Sequence, residues 1–167
     1  MALTTLSRSD ALLLHRPAGT GEMYWGPGDM YRFLVTGEQT GGAYFAMEAF
    51  VPPGGGPPPH FHRNEDETFY VLEGLIEFLL GDETITGAAG DFVNVPKGTL
   101  HCFRNISLEP VRMILTFTPA GIEKFFEEAF HPAVEGKEPP PVTPELIARL
   151  MAASARHGQT VLPPPQS

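Results

Sequence analysis

Two stretches of the chain hold residue types that can do chemistry. One runs from Gly54 through Pro57-Pro58-Pro59 to His60, His62 and Glu67 and ends at Gly74; the other runs from Gly90 through Pro96 and Gly98 to His101 and Asn105. Together they offer three imidazoles and one carboxylate. Neutral imidazole suits first-row transition metals, and one carboxylate partly neutralises a divalent ion without the all-oxygen shell that calcium or magnesium demands. Residues i and i+2 of a strand face the same side, so His60 and His62 can converge on one ion while Phe61 points away. Glu67 and His101 must then come from neighbouring strands, leaving one or two positions for water or substrate. A His-x-His pair alone is a weak signal, but so many residue types at fixed offsets are not an accident of composition. Asn105 reads as a turn former at a strand end rather than a ligand. Gly54 to Pro59 and Pro96-Lys97-Gly98 have to turn the chain sharply without intruding on the site.

The elements that position these residues read as strands. Eighteen Gly and 18 Pro punctuate short apolar runs, the pattern of an all-β domain. Residues 31–36 and 43–51 form a hairpin across Gly37 to Gly42, with Phe45, Met47 and Ala49 on the face opposite Glu48. Further strands are expected at 68–72, 75–80, 84–86, 92–95, 99–103 and 111–118, separated by turns at Glu73-Gly74, Gly81-Asp82 and Pro96-Lys97-Gly98. After Pro119 the apolar period changes to that of a helix: Ile122, Phe125, Phe126, Ala129 and Phe130 form a stripe that docks on the sheet. Residues 132–142 read as an irregular linker. Thr143 then caps a second helix, with Pro144 at its first position, that runs to about Arg156. Residues 161–167, with three consecutive prolines, read as an extended tail that could lie on a neighbouring subunit.

Composition narrows the function. A length of 167 residues suits one domain, residues 1–167, with a barrel core at about 29–118 and C-terminal helices and tail at 121–167. Cys102 is the single cysteine, so no internal disulfide forms and a reducing, cytoplasmic location is expected. The apolar run Ala11 to Leu14 is too short for a signal or membrane segment. Eleven basic against 20 acidic residues give a net charge of −9, which repels phosphate backbones and anionic lipid and argues against nucleic-acid and membrane partners. Cys102 should point away from His101 as a buried small hydrophobe. Glu65 and Asp66 read as a solvated acidic run, and His15, His131 and His157 as surface or structural residues. Phe45, Met47, Phe69, Phe103 and Met113 are the candidates to wall a substrate pocket above the ion.

With these residues in place the chain resembles the cupins. Their two motifs are matched as Gly54-x5-His60-x-His62-x4-Glu67-x6-Gly74 and Gly90-x5-Pro96-x-Gly98-x2-His101-x3-Asn105, with no position departing. The resemblance covers residues 40–118 most closely, and the flanks look like small single-cupin proteins similar to quercetin 2,3-dioxygenase. It implies an all-β, double-stranded β-helix or jelly-roll barrel with short C-terminal helices. It also implies that His60, His62, Glu67 and His101 hold one divalent transition metal ion, whether Fe, Mn, Ni, Cu or Zn. Retention of Glu67 makes the chain less similar to the three-histidine cysteine and gentisate dioxygenases, and a single motif copy separates it from bicupin oxalate decarboxylases. The sugar epimerases of this fold lack the metal set. The expected function is a dioxygenase acting on a small aromatic or enolic compound, with Glu67 as catalytic base as well as ligand. The alternatives are a non-catalytic small-molecule binder and a metal-dependent isomerase or lyase. Edge strands that need covering suggest a homodimer.

Overall fold

The computed structural model describes residues 12–162. The strands are β1 (Met23–Trp25), β2 (Met30–Val35), β3 (Phe45–Val51), β4 (His60–His62), β5 (Asp66–Glu73), β6 (Leu75–Leu80), β7 (Glu83–Ala88), β8 (Phe92–Val95), β9 (His101–Arg104), β10 (Val111–Thr118), β11 (His131–Pro132) and β12 (Gln159–Val161). Three helices, α1 (Gly37–Thr40), α2 (Glu123–Ala129) and α3 (Pro144–Arg156), complete the order. One sheet has seven strands in the order β11-β1-β2-β3-β10-β5-β8 and the other five in the order β12-β4-β9-β6-β7. All pairings are antiparallel. The chain crosses repeatedly between the two sheets, which face each other as the walls of a barrel.

Alternation decides which side chains fill the space between the sheets. Phe45, Met47, Ala49 and Val51 on β3, Phe69 and Val71 on β5, Ile76 and Phe78 on β6, and Val111, Met113, Leu115 and Phe117 on β10 are all buried in one continuous core. The outer face of the large sheet has its own centre: Glu48, nearly inaccessible, pairs with Arg32 at 2.9 Å and Arg112 at 2.6 Å, and both guanidinium groups lie over Phe50. At the open end of the barrel, α2 brings Phe126 against Phe33, Phe45 and Phe117. Helix α3 starts as its sequence dictates, with Thr143 Oγ1 accepting from Leu146 N–H at 3.2 Å and Pro144 in the first turn, and buries Leu146, Leu150 and Ala153.

Several elements depart from the sequence reading. The hairpin of β2 and β3 forms, but its connection contains the one-turn helix α1, closed by Gly41 at φ 64°. Strands β1, β11 and β12 are too short to show a periodicity. The strand expected at 84–86 extends over Glu83–Ala88, and Phe130 is the C-cap of α2 rather than part of it. Val161, expected in the tail, pairs with His60 as β12 lies along β4; residues 163–167 of that tail, and residues 1–11, lie outside the described residues.

Candidate metal centre and its cavity

The ligand candidates are positioned by contacts that tie the two motif segments to each other. The loop from Pro52 to Pro59 delivers β4, and Gly56 at φ 135° passes so close to β9 that a Cβ there would sit 2.0 Å from the Phe103 carbonyl oxygen. Reciprocal backbone bonds, Gly54 N–H to Asn105 O at 2.8 Å and Asn105 N–H to Gly55 O at 3.0 Å, tie the loop to the end of β9. The turn at Pro96–Gly98 is fastened to the first motif by Gly98 N–H donating to His62 O at 2.7 Å and Lys97 N–H to Asp66 Oδ1 at 2.9 Å. Asn105 is structural: its Nδ2 donates to Val51 O and Glu109 O, and its Oδ1 accepts from Ser107.

These devices bring His60, His62, Glu67 and His101 together, each buried, with one candidate ligand atom per residue all within 4.8 Å of one another. His60 and His101 face each other in register across β4 and β9, and Glu67 arrives from β5 of the opposite sheet. Ligand atoms held about 2.1 Å from a common ion lie about 3 Å apart when adjacent and about 4.2 Å apart when opposite. Glu67 Oε2 is 2.8 Å from His101 Nε2 and 3.1 Å from His62 Nε2, close to the spacing of adjacent ligands on one ion. The outer ring nitrogens are also arranged for this. Nδ1 of His60 lies 2.9 Å from Pro58 O and Nδ1 of His101 2.9 Å from Thr99 O; a carbonyl only accepts, so both Nδ1 atoms carry hydrogen and Nε2 is the inward atom. Both nitrogens of His62 are buried without a hydrogen-bond partner, since Nε2 is misaligned towards Glu67. An orphaned imidazole among two others and a carboxylate is the donor set that a divalent transition metal fits.

The electrostatics of the four side chains agree with that fit. Burial, with repulsion from His101 and His62, lowers the pKa of His60 to about 3 and keeps it neutral. Burial would raise Glu67, but the hydrogen bond from His101 and the nearness of His62 outweigh it and hold the carboxyl at about 2. Burial lowers His101, and its bond to Glu67 raises it by more. The proton shared between His101 and Glu67 is therefore the one that a cation displaces.

The cluster opens on a cavity of about 390 Å³. Met47 and Phe103 line it, together with Leu115 and Phe117. Phe45, Phe69 and Met113, expected on its wall, do not: all are fully buried in the core behind it, where inward alternation places them but other side chains cover them. Gly56, Pro57 and Pro58 of the first motif add to the lining, and much of the outer wall comes from segments the motifs do not reach: Phe125 and Phe126 of α2, Phe130, Ile147, Leu150 and Met151 of α3, and Val161 of β12. Asp29 and Tyr31 also line it; their only sequence signal was strand spacing, i and i+2. Glu65, read as solvated, is buried 4.0 Å from His62 Nδ1, and burial raises its pKa. Asp66 is exposed. Cys102 faces away from His101 and is half-buried rather than buried. His131 lies 3.0 Å from Arg149, and His157 is 2.7 Å from Glu128. His15 is exposed.

Comparison with known proteins follows the same outline. Residues 47–117 match the family model Cupin_2, described as a cupin domain. The chain is 28% identical over 109 residues to quercetin 2,3-dioxygenase of Bacillus subtilis, covering 65% of this chain and 32% of that protein. It is 32% identical over 104 residues to quercetin 2,3-dioxygenase of Aspergillus japonicus, covering 58% and 29%. The chain thus spans about a third of the length of these two relatives. Among solved structures it is similar to an RmlC-like cupin from Shewanella frigidimarina, with a TM-score of 0.57 and 22% identity, over 66% of this chain and 93% of that one. No helix among the described residues is long and apolar enough to cross a membrane.

Proposed function

Residues 47–117 of this chain are a cupin domain, and on that footing we propose that the protein is a metal-dependent dioxygenase acting on a small aromatic or enolic compound. The observation that carries this reading is the continuity of a buried three-histidine, one-carboxylate cluster with an aromatic-walled cavity. Its volume is near the lower end for small-molecule sites and suits a compound of two or three rings. Similarity to two quercetin 2,3-dioxygenases supports oxygen chemistry over other cupin activities.

His60, His62, Glu67 and His101 would hold the ion. A bound divalent transition metal supplies Lewis acidity that lowers the pKa of an enol or phenol and, when redox-active, lets the substrate react with O₂. The chain's own residues do the rest. Phe103, Phe117 and Phe126 orient the substrate rings and exclude water. Pro58 O and Thr99 O fix the ring planes of His60 and His101. Glu67 is the one carboxylate within the cluster, and it takes the hydroxyl proton as the enolate or phenolate forms. A carboxylate is a weak base, so the transfer proceeds from a hydroxyl already acidified in the site. The same reading treats the chain as one cupin domain, working in the cytoplasm as a homodimer whose open sheet edges are covered by a second copy.

The test is an oxygen electrode. Protein reconstituted separately with Fe, Mn, Ni, Cu and Zn is screened against flavonols, catechols and 1,3-diketones. Uptake with at least one redox-active ion, absent in His101→Ala, is the expected result. No uptake with any pair removes the dioxygenase assignment; conversion of substrate without O₂ consumption indicates an isomerase or lyase, and binding without conversion a carrier.

A further inference from the structure

The cavity has a second polar pole that the metal-ligand set does not use. Asp29 precedes β2 and Tyr31 lies within it, two residues on and facing the same side. Both line the cavity and both are more than nine-tenths buried. The Tyr31 hydroxyl donates to Asp29 Oδ2 at 3.0 Å, which fixes the rotation of the carboxylate and leaves Oδ1 as its free end. That oxygen is buried with no donor well aligned on it, and the Gly56 amide is the one backbone donor that acts on the carboxylate. The other polar pair on the wall, away from the cluster, is closed on itself, with Ser154 Oγ donating to Gln159 Oε1 at 3.0 Å. Room for Asp29 is kept by the absence of a side chain at Gly55, where a Cβ would stand 2.5 Å from Oδ1.

The pole is well separated from the cluster along the sheet. Tyr31 is in register with Ala49, and Ala49 with Met113, whereas Glu67 is in register with Phe117 four residues further along β10. Strands β3 and β10 lie between the two groups. Apolar side chains, Met47, Leu115 and Phe117 among them, occupy the wall from one to the other. A packing role does not require a carboxylate here, and a buried charged acceptor without a donor is costly unless something supplies one. Burial raises Asp29 to about 6, with the Tyr31 bond and the Gly56 amide only partly offsetting it, in keeping with an acceptor short of donors.

We propose that Asp29, steadied by Tyr31, anchors the substrate: its free Oδ1 receives a hydroxyl or N–H of an aromatic compound whose other oxygen lies at His60, His62, Glu67 and His101. The inference rests on the reading of the cavity as an aromatic substrate site and narrows it to compounds with two separated hydrogen-bonding groups. Asp29 is a specificity determinant and takes no part in bond making.

The test uses protein loaded with zinc, titrated without oxygen against 3-hydroxyflavone and against 3-hydroxyflavone with two added hydroxyls on its pendant ring. Wild-type protein should prefer the second compound by roughly tenfold, the effect of one charge-assisted hydrogen bond. Asp29→Ala should abolish the preference, and Asp29→Asn, which keeps the shape and loses the charge, should reduce it strongly. Affinity for 3-hydroxyflavone and zinc content should stay unchanged in Asp29→Asn, whose thermal midpoint should not fall below that of wild type, and Tyr31→Phe should keep most of the preference. Equal binding of both compounds by wild type overturns the anchor while leaving the aromatic site intact, as does a parallel loss of both compounds in Asp29→Asn, which marks a structural role. Binding of neither compound by wild type overturns the aromatic-site reading and the anchor with it.

Discussion

Substituting alanine at Gly56 and at Gly54 should separate two glycines that look alike on paper. Gly54 holds a motif position and Gly56 does not, yet the structure makes Gly56 the more demanding. At Gly54, φ is 77° and a Cβ would meet nothing within 4 Å. Gly54→Ala therefore carries only left-handed backbone strain, about 1–2 kcal/mol, less a part regained from a stiffer unfolded chain. At Gly56, φ is 135°, and a Cβ would stand 2.0 Å from Phe103 O, 2.9 Å from its carbonyl carbon and 3.1 Å from Arg104 Cα. These are backbone atoms of the strand that starts at His101, so relief requires moving β9 away from the loop. Backbone strain of about 1–3 kcal/mol and overpacking of about 1–3 kcal/mol sum to roughly 2–6 kcal/mol. At about 2–4 °C per kcal/mol for a chain of this size, Gly56→Ala should melt roughly 5–20 °C below wild type, against a few degrees for Gly54→Ala. Differential scanning calorimetry on metal-free protein reads both. Equal midpoints for the two variants, or a Gly56→Ala midpoint within 2 °C (about 1 kcal/mol) of wild type, would refute the claim that close approach of this loop to β9 builds the site.

Glu67→Gln tests the double duty assigned to that side chain. At saturating metal, turnover should fall by about 10²-fold or more while occupancy measured on the same sample falls far less; a parallel fall would mean that Glu67 only binds. The metal-free protein should be most stable near neutrality. His60 titrates near 6.5 when unfolded but at about 3 when folded, so the unfolded state gains protons first and stability drops as pH falls from 6.5 towards 3. Glu67, held at about 2 against an ordinary 4.5, contributes stability that is present above 4.5 and lost as pH falls towards 2. His101, whose pKa is raised, adds stability below 6.5 that disappears as pH climbs through its folded value. Urea midpoints between pH 3 and 9 in the presence of chelator should trace that maximum, and His101→Ala should flatten the alkaline side. A midpoint that climbs steadily to pH 9 contradicts the assignment.

The chain announces its metal cluster more clearly than its cavity, for a physical reason. Convergence of His60 and His62 needs only the two-residue period of a strand, and the turns around Gly54, Gly74 and Gly98 are local chemistry. The helices α2 and α3 follow local signals too, with Thr143-Pro144 marking the start of α3, whereas the sheet order rests on pairings between distant strands such as β3 and β10. Alternation tells which side chains point inward but not how deep they lie, so Phe45, Phe69 and Met113 could not be distinguished from Met47 and Phe103. The outer wall is built from α2, α3 and β12, whose docking depends on contacts across most of the chain, such as Leu162 N–H on Pro59 O and Arg149 on Ala129 O. Three-residue β12 has no period to read. Burial of Glu65 and Asp29 runs against their polarity, and only the packed structure reveals it.

Counting metal ions per chain addresses the central claim most directly. Wild-type protein and the His60→Ala/His101→Ala double variant are purified from the same medium, incubated separately with Fe, Mn, Ni, Cu and Zn, desalted and assayed by plasma mass spectrometry, with circular dichroism to establish that both are folded. The account expects about one ion per wild-type chain with at least one of the five metals, the stoichiometry of a single four-ligand site, and almost none in the folded double variant. A wild-type chain that emerges metal-free from all five incubations, or a double variant that retains the same amount, would contradict it.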